Sequence, residues 1–150
     1  EDIFTPQSKT KKTEVKQLDF EPNFMTFSLC YQTTTAHITF LYQAMCNRNW
    51  IDKDTKPDDF TNLFRGKICR CRIKRANVGS DNIYALFQKM VDRNFIKVPH
   101  GHSLESIVRS HFINKDEQYI AKNTSKYSVK ALTDINTFCD IFTVQIDTDD

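Results

Sequence analysis

One fourteen-residue pattern occurs twice in the chain. Residues 38–51 read ITFLYQAMCNRNWI and residues 83–96 read IYALFQKMVDRNFI, 45 positions later. Seven of the fourteen positions are identical, and Tyr42/Phe87, Asn47/Asp92 and Trp50/Phe95 are close replacements. Ile38, Leu41, Tyr42 and Met45 in the first copy, and Ile83, Leu86, Phe87 and Met90 in the second, recur at i, i+3, i+4 and i+7. That spacing puts them on one stripe of a helix, so each copy predicts an amphipathic helix. The Arg-Asn pair that closes each copy, followed by an aromatic residue and Ile, predicts a helix end and then a short extended piece.

The rest of the chain must supply a core for these two ridges. Its 150 residues make one ordinary domain, and 39% hydrophobic content with twelve Phe provides the apolar material. Three Gly and four Pro are too few for a turn-dense sandwich or barrel. They are also too few for a glycine-rich phosphate loop, and the chain has no nucleophile elbow, dinucleotide motif or metalloprotease pair. His37 and His111 offer acid–base chemistry by residue type alone. A non-catalytic protein without a cofactor is expected. The five cysteines, an odd number without framework spacing, suggest reduced thiols and a cytoplasmic protein. No apolar run approaches the roughly 18 residues of a membrane span. The start at Glu1 rather than Met suggests a processed product or a piece of a longer chain.

In order, residues 1–17, with Lys9, Lys11, Lys12 and Lys16, read as a flexible basic arm or linker. Residues 18–150 read as one compact domain of two related units, about 33–78 and 79–132, followed by a C-terminal helix and strand. Met25, Phe27, Leu29 and Tyr31 alternate with polar residues or Cys30, as a core-facing strand does. Thr33, Thr34 or Thr35 can cap a first helix over 36–48. Pro57, Asp58 and Asp59 open a second, with Phe60, Leu63 and Phe64 inward and Gly66 as its stop. Ser80 or Asp81 would cap the second repeat helix, over 82–93. Ser103 would start the next, with Leu104, Ile107, Val108 and Phe112 on its apolar face. A short third helix is expected over 127–132. In residues 134–146, Ile135, Phe138, Ile141 and Phe142 have helical spacing, whereas Val144 and Ile146 look extended.

Two basic groups are the candidate functional residues. From Arg65 to Arg75 there are six basic residues and no acidic one. Cys69, Cys71 and Ile73 would face a core, leaving Arg70, Arg72 and Lys74 toward water, beside Arg75. This period of two predicts the edge strand of a hairpin or wing, able to sit on phosphates. Charged edges also serve merely to prevent edge-to-edge association. Lys122, Ser125, Lys126 and Lys130, with Lys115, flank the expected third helix, and Asn123, Thr124 and Ser125 form a polar helix entry of the kind that approaches bases. Cys69-x-Cys71 with His100-x-His102 departs from structural zinc spacing, so no metal is expected.

The unit in which Leu-Tyr/Phe-x-x-Met leads to Asn-aromatic-Ile, a polar loop and Phe-x-x-Leu-Phe resembles modules of regulators carried by conjugative and mobilisable transposons. The named type is RteC, whose C-terminal part is a winged helix. The likeness covers about residues 38–132. It includes Arg72-Ile73-Lys74 leading through Gly79-Ser80 into Ile83-Tyr84-x-Leu86-Phe87, and Ile107-x-x-x-x-Phe112 followed by Ser128-x-x-x-Leu132. It implies a DNA-binding regulator of transcription or excision in a mobile element. The expected architecture is mainly α with short β (α+β), two helix-turn-helix or winged-helix-like units packed together, and the expected partner is double-stranded DNA. The alternative is a protein-interaction or scaffold module of a larger protein, with a protein partner and no nucleic-acid ligand.

Overall fold

The computed structural model describes residues 24–126 and 128–145. In chain order it contains β1 (Phe24–Met25), β2 (Ser28–Leu29), α1 (Thr35–Asn47), α2 (Pro57–Asn62), β3 (Ile68–Cys69), β4 (Ile73–Lys74), α3 (Ser80–Asp92), β5 (Ile96–Lys97), α4 (Leu104–His111), β6 (Phe112–Ile113) and α5 (Val129–Ile141). The fold is mixed, with helices around small open sheets of two strands each.

The two repeated stretches adopt the same local structure. α1 and α3 are each 13 residues long and bury the stripe the spacing predicts, Ile38, Leu41 and Met45 in one and Ile83, Leu86, Phe87 and Met90 in the other. Both then stop in the same way. Asn49 (φ 62°) and Asn94 (φ 64°) take the left-handed conformation that Asn tolerates better than most residues. Asn49 N–H donates to Cys46 O, and Trp50 N–H donates to Met45 O; Asn94 donates to Val91 O and Phe95 to Met90 O. These are the paired bonds of a Schellman motif, which satisfies the last carbonyls and turns the chain back. Trp50 and Ile51 are buried, as is Ile96, with Phe95 half-buried.

The extended tails leaving these stops exchange partners. The tail of α3 pairs with the segment that precedes α1: β5 lies antiparallel to β2 with Leu29 opposite Ile96, and Cys30 N–H donates to Phe95 O. The tail of α1 pairs with the segment that precedes α3: Ile51 bridges Arg75, Asp52 N–H donates to Lys74 O and Ala76 N–H donates to Trp50 O. Residues 28–29 and 73–74 are 45 positions apart, like the helices they precede, so the two pairings correspond to within one residue. The tail of each repeat helix therefore pairs with the segment leading into the other helix; the β2–β5 pairing crosses between the two units, whereas the Ile51–Arg75 pairing lies within the first.

One core joins both halves. Phe27 stacks on Phe87 at 5.3 Å and lies near Phe64; Phe64 adjoins Phe60, and Phe87 meets Phe112 edge-on. Such pairs contribute about 0.5–1.5 kcal/mol each beyond their buried area. Trp50 meets Phe138 of α5, and its indole N–H donates to Asp134, which also accepts from Arg48 at 2.6 Å.

Several expectations are corrected. Residues 24–29 are not one alternating strand but two, in different sheets. Thr26 is buried because its hydroxyl donates to Lys67 O and accepts from Lys67 N, and Tyr31 is 98% exposed rather than facing the core. The expected hairpin over 67–75 does not form: β3 pairs antiparallel with β1, and β4 pairs parallel with β6. α3 is capped at neither Ser80 nor Asp81: the N-cap position falls on Gly79, which has no side chain, and the Asp81 carboxylate bonds instead to Thr124. The third helix and the C-terminal helix are one. Ser128 caps it, and Ala131, Ile135, Phe138 and Phe142 form one unbroken stripe. Val144 lies in a bend and is exposed. The basic arm over 1–17, Tyr127 and Ile146 fall outside the described residues.

Gly66 (φ 65°) ends the α2 segment, and its N–H donates to Phe27 O. A Cβ there would meet Ser28 Oγ at 2.6 Å, so both the conformation and the space require glycine.

The helix stops yield a stability prediction. Asn49→Ala and Asn94→Ala should each lower unfolding stability by about 1 kcal/mol, whereas Asn→Gly at either position should be close to neutral. Urea denaturation of the four variants measures this; equal losses for Ala and Gly would show that the left-handed turn is not what the asparagines supply.

Candidate nucleic-acid interface

The first basic group lies where β4 enters the core. Ile73 and Cys71 are buried, and Arg70, Arg72, Lys74 and Arg75 are half-buried rather than fully exposed. The parallel pairing of β4 with β6 determines their neighbours. After β6 the chain makes a tight turn over 114–118, in which Asn114 N–H donates to Gln118 O and Asn114 Oδ1 accepts from Asp116 N–H and Gln118 N–H. Glu117 sits in it with φ 63° and reaches back to the strand. Arg72 Nη2 donates to Glu117 Oε1 at 2.8 Å, and Lys74 Nζ lies 3.7 Å from Oε2. Arg75 donates to Val78 O, bracing the turn into α3. Arg65 and Lys67, at the start of the stretch, are exposed.

The second group lies on a different support. Lys122, Ser125, Lys126 and Lys130 are all exposed. The loop that carries the first three is pinned to α3 and α4 through its backbone. Asp81 accepts from Thr124 N–H (2.8 Å), from the Thr124 hydroxyl and from Lys126 N–H (3.1 Å). Asn82 Oδ1 accepts from Ser128 N–H, Glu105 from Asn123 N–H, and Tyr84 OH donates to Ala121 O. Ser125 is left-handed (φ 61°), with its N–H on Asn123 Oδ1. The hydrogen bonds from Thr124, hydroxyl first and then backbone, hold the Asp81 carboxyl below its ordinary range. The polar entry to α5 is thus a fixed loop, and its lysine side chains, from Lys122 to Lys130, project from an ordered backbone. Sequence reasoning offers Ser80 or Asp81 as the helix cap; the actual use of Asp81, 43 residues away, leaves no local signal.

The two histidines that are acid–base candidates by type alone are structural. His37 Nδ1 accepts from Thr34 N–H in a capping box, and its other nitrogen donates to Val144 O, tying the start of α1 to the end of α5. His111 Nδ1 accepts from Cys71 N–H, and Nε2 donates to Met25 O. Burial pushes its pKa down, against the hydrogen bonds that favour charging. Cys69 and Cys71 lie together, Sγ to Sγ 3.7 Å, while His100 and His102 are exposed in a separate turn. Among the described residues no three His, Cys, Asp or Glu side chains are grouped to hold a metal, and no helix is long and apolar enough to cross a membrane.

Elsewhere, a cleft of about 680 Å³ is lined by Tyr31, His37, Phe95, Phe142 and Val144. Phe95 stacks on Phe142 at 4.7 Å in its wall.

No family model, curated protein or solved structure matches the chain.

These anchors can be tested one at a time. Asp81→Ala should cost about 1 kcal/mol or less and speed amide exchange at Thr124 and Lys126. Because the folded-state pKa of Asp81 is depressed, its contribution is present above the ordinary value of 3.8 and lost as pH falls through the folded value. Unchanged exchange in the variant would mean that the loop is held by other contacts. For His111, also depressed, the contribution is complete above its ordinary value of 6.5 and is lost as pH falls through the lower folded value. Denaturant midpoints should therefore decline on acidification below about pH 6.5, with a shallower decline in His111→Gln; matching profiles for the two proteins would contradict this.

Proposed function

We propose that the chain is a non-catalytic DNA-binding regulatory protein, with the loop and helix start from Lys122 to Lys130 as its principal contact surface. The observation that carries this reading is the fixed loop: four exposed residues, Lys122, Ser125, Lys126 and Lys130, stand on backbone held by Asp81, Asn82 and Glu105. Cations on an ordered backbone lose less entropy on meeting phosphates than cations on a free tail. Ser125 beside the start of α5 supplies a short polar group of the type that enters a groove at a helix N-terminus. Arg70, Arg72, Lys74 and Arg75 form the secondary surface, with Glu117 drawing Arg72 and Lys74 away from solvent anions. A winged-helix or helix-turn-helix arrangement of two related units, in a regulator of a mobile element, is the finer form of this reading and comes from the sequence resemblance.

A second reading is favoured by one observation. Tyr31 is 98% exposed at the mouth of the cleft lined by Phe95, Phe142 and Val144. An aromatic side chain presented this way suits a protein partner.

Fluorescence anisotropy with duplex DNA tests the first reading. Affinity should fall steeply between about 50 and 200 mM salt. Substituting Lys122, Lys126 and Lys130 together with Gln should reduce the slope of log K against log salt by about 0.9 for each phosphate that these lysines no longer neutralise. Glu117→Gln should strengthen binding by removing a carboxylate beside Arg72 and Lys74. Absence of binding at low salt, or an unchanged slope in the triple variant, would remove this surface; Tyr31→Ala should then be tested against protein partners.

A further inference from the structure

We propose that Cys69 and Cys71 form an oxidisable dithiol, which low-molecular-weight disulfides such as glutathione disulfide convert reversibly into an intramolecular Cys69–Cys71 disulfide. The sulfurs are already 3.7 Å apart, and one residue separates the cysteines. An extended chain advances about 3.3–3.4 Å per residue, which places alternate Cα atoms near the upper end of the 4.4–6.8 Å that a disulfide spans. Here the intervening chain is not constrained as strand: β3 ends at Cys69, β4 begins at Ile73, and each pairs with a different partner. The segment 70–72 can therefore take up the small closure that bond formation needs.

The surroundings distinguish the two sulfurs. Cys69 is half-buried at the end of β3, with its thiol near Asn62 O, whereas Cys71 is buried and its backbone N–H is held by His111. Burial, then the neighbouring Cys69, pushes the Cys71 thiol well up. Cys69 is accordingly the first nucleophile. Its thiolate attacks one sulfur of glutathione disulfide, the S–S bond breaks, and one glutathione leaves as thiolate and takes a proton. Cys71 then gives up its proton and attacks the Cys69 sulfur, expelling the second glutathione. The protein is oxidised by two electrons and one glutathione disulfide becomes two glutathiones. The same burial argues against a soft metal held between the thiolates: that arrangement leaves a net negative charge in a place that already opposes ionisation, whereas a disulfide is neutral. A ring closed over a single residue gains little from chain entropy and is under geometric strain, the properties of labile disulfides. The site is independent of the nucleic-acid reading.

The test exposes the folded 150-residue chain to glutathione disulfide, blocks remaining thiols and digests with trypsin. Cleavage after Lys67, Arg70 and Arg72 separates Ile68–Arg70 from Cys71–Arg72, so only a disulfide can keep these peptides together. The expected result is loss of the Cys69 and Cys71 thiols, with the two peptides joined and released by dithiothreitol. Cys71→Ser should stop at one glutathione on Cys69. Cys69→Ser, which leaves the buried sulfur in place, should retain the Cys71 thiol. Five thiols surviving, a Cys69 bond to another chain or another cysteine, or glutathione on Cys71 in Cys69→Ser would each overturn the proposal.

Discussion

The fold depends on two left-handed asparagines. Once Asn49 and Asn94 reverse the chain, the following residues have little freedom. An aromatic side chain turns toward α5, Trp50 onto Phe138 and Phe95 onto Phe142, Ile enters the core, and two bare edges of backbone must find partners. Buried peptide groups left unpaired would each cost about 1–3 kcal/mol, so the edges pair, and the available partners are the segments leading into the opposite helix. Phe27, Phe64 and Phe87 then fill the space that this reciprocal pairing encloses.

How much of this is legible in the sequence depends on the range of the physics involved. The amphipathic stripes of α1 and α3, the Thr34 cap and the Pro57 start are set by neighbours within four residues, and sequence spacing records them faithfully. Strands of two residues carry no period. Thus Thr26, which pairs with Lys67 through its side chain, and Tyr31, which turns outward, look the same in sequence as members of an ordinary alternating strand. The odd positions of 69–73 do face inward to differing degrees, but nothing local states that β3 and β4 have different partners. The sequence of α5 looks like two pieces because Thr133 and Asp134 interrupt the apolar residues between Leu132 and Ile135. The candidate interface is half visible: the lysines are evident in composition, but Asp81, Asn82 and Glu105, which give their loop its shape, act across long sequence separations.

The same long-range contacts qualify the basic stretch. Glu117 lies more than 40 residues from the basic stretch in sequence, yet the turn after β6 brings it to Arg72 and Lys74. Both partners remain partly solvated, at 35% and 56% side-chain exposure for Arg72 and Glu117, so the ion pair adds about 1 kcal/mol or less to stability. Its larger effect is on the local potential, which one carboxylate lowers beside two cations. Counting Lys and Arg along the chain overstates the charge this strand offers, whereas the 122–130 segment keeps its lysines exposed.

The exchange of strands between the halves has a further consequence for how such a chain can be divided. With the chain divided at 77–79, β2 and β4 lie in the first portion and their partners β5 and β6 in the second. Each portion then exposes backbone that the other pairs. A nick in the connection at residues 77–79 would leave two fragments that recognise each other through these edges and the shared aromatic interior, and they would persist as a non-covalent heterodimer.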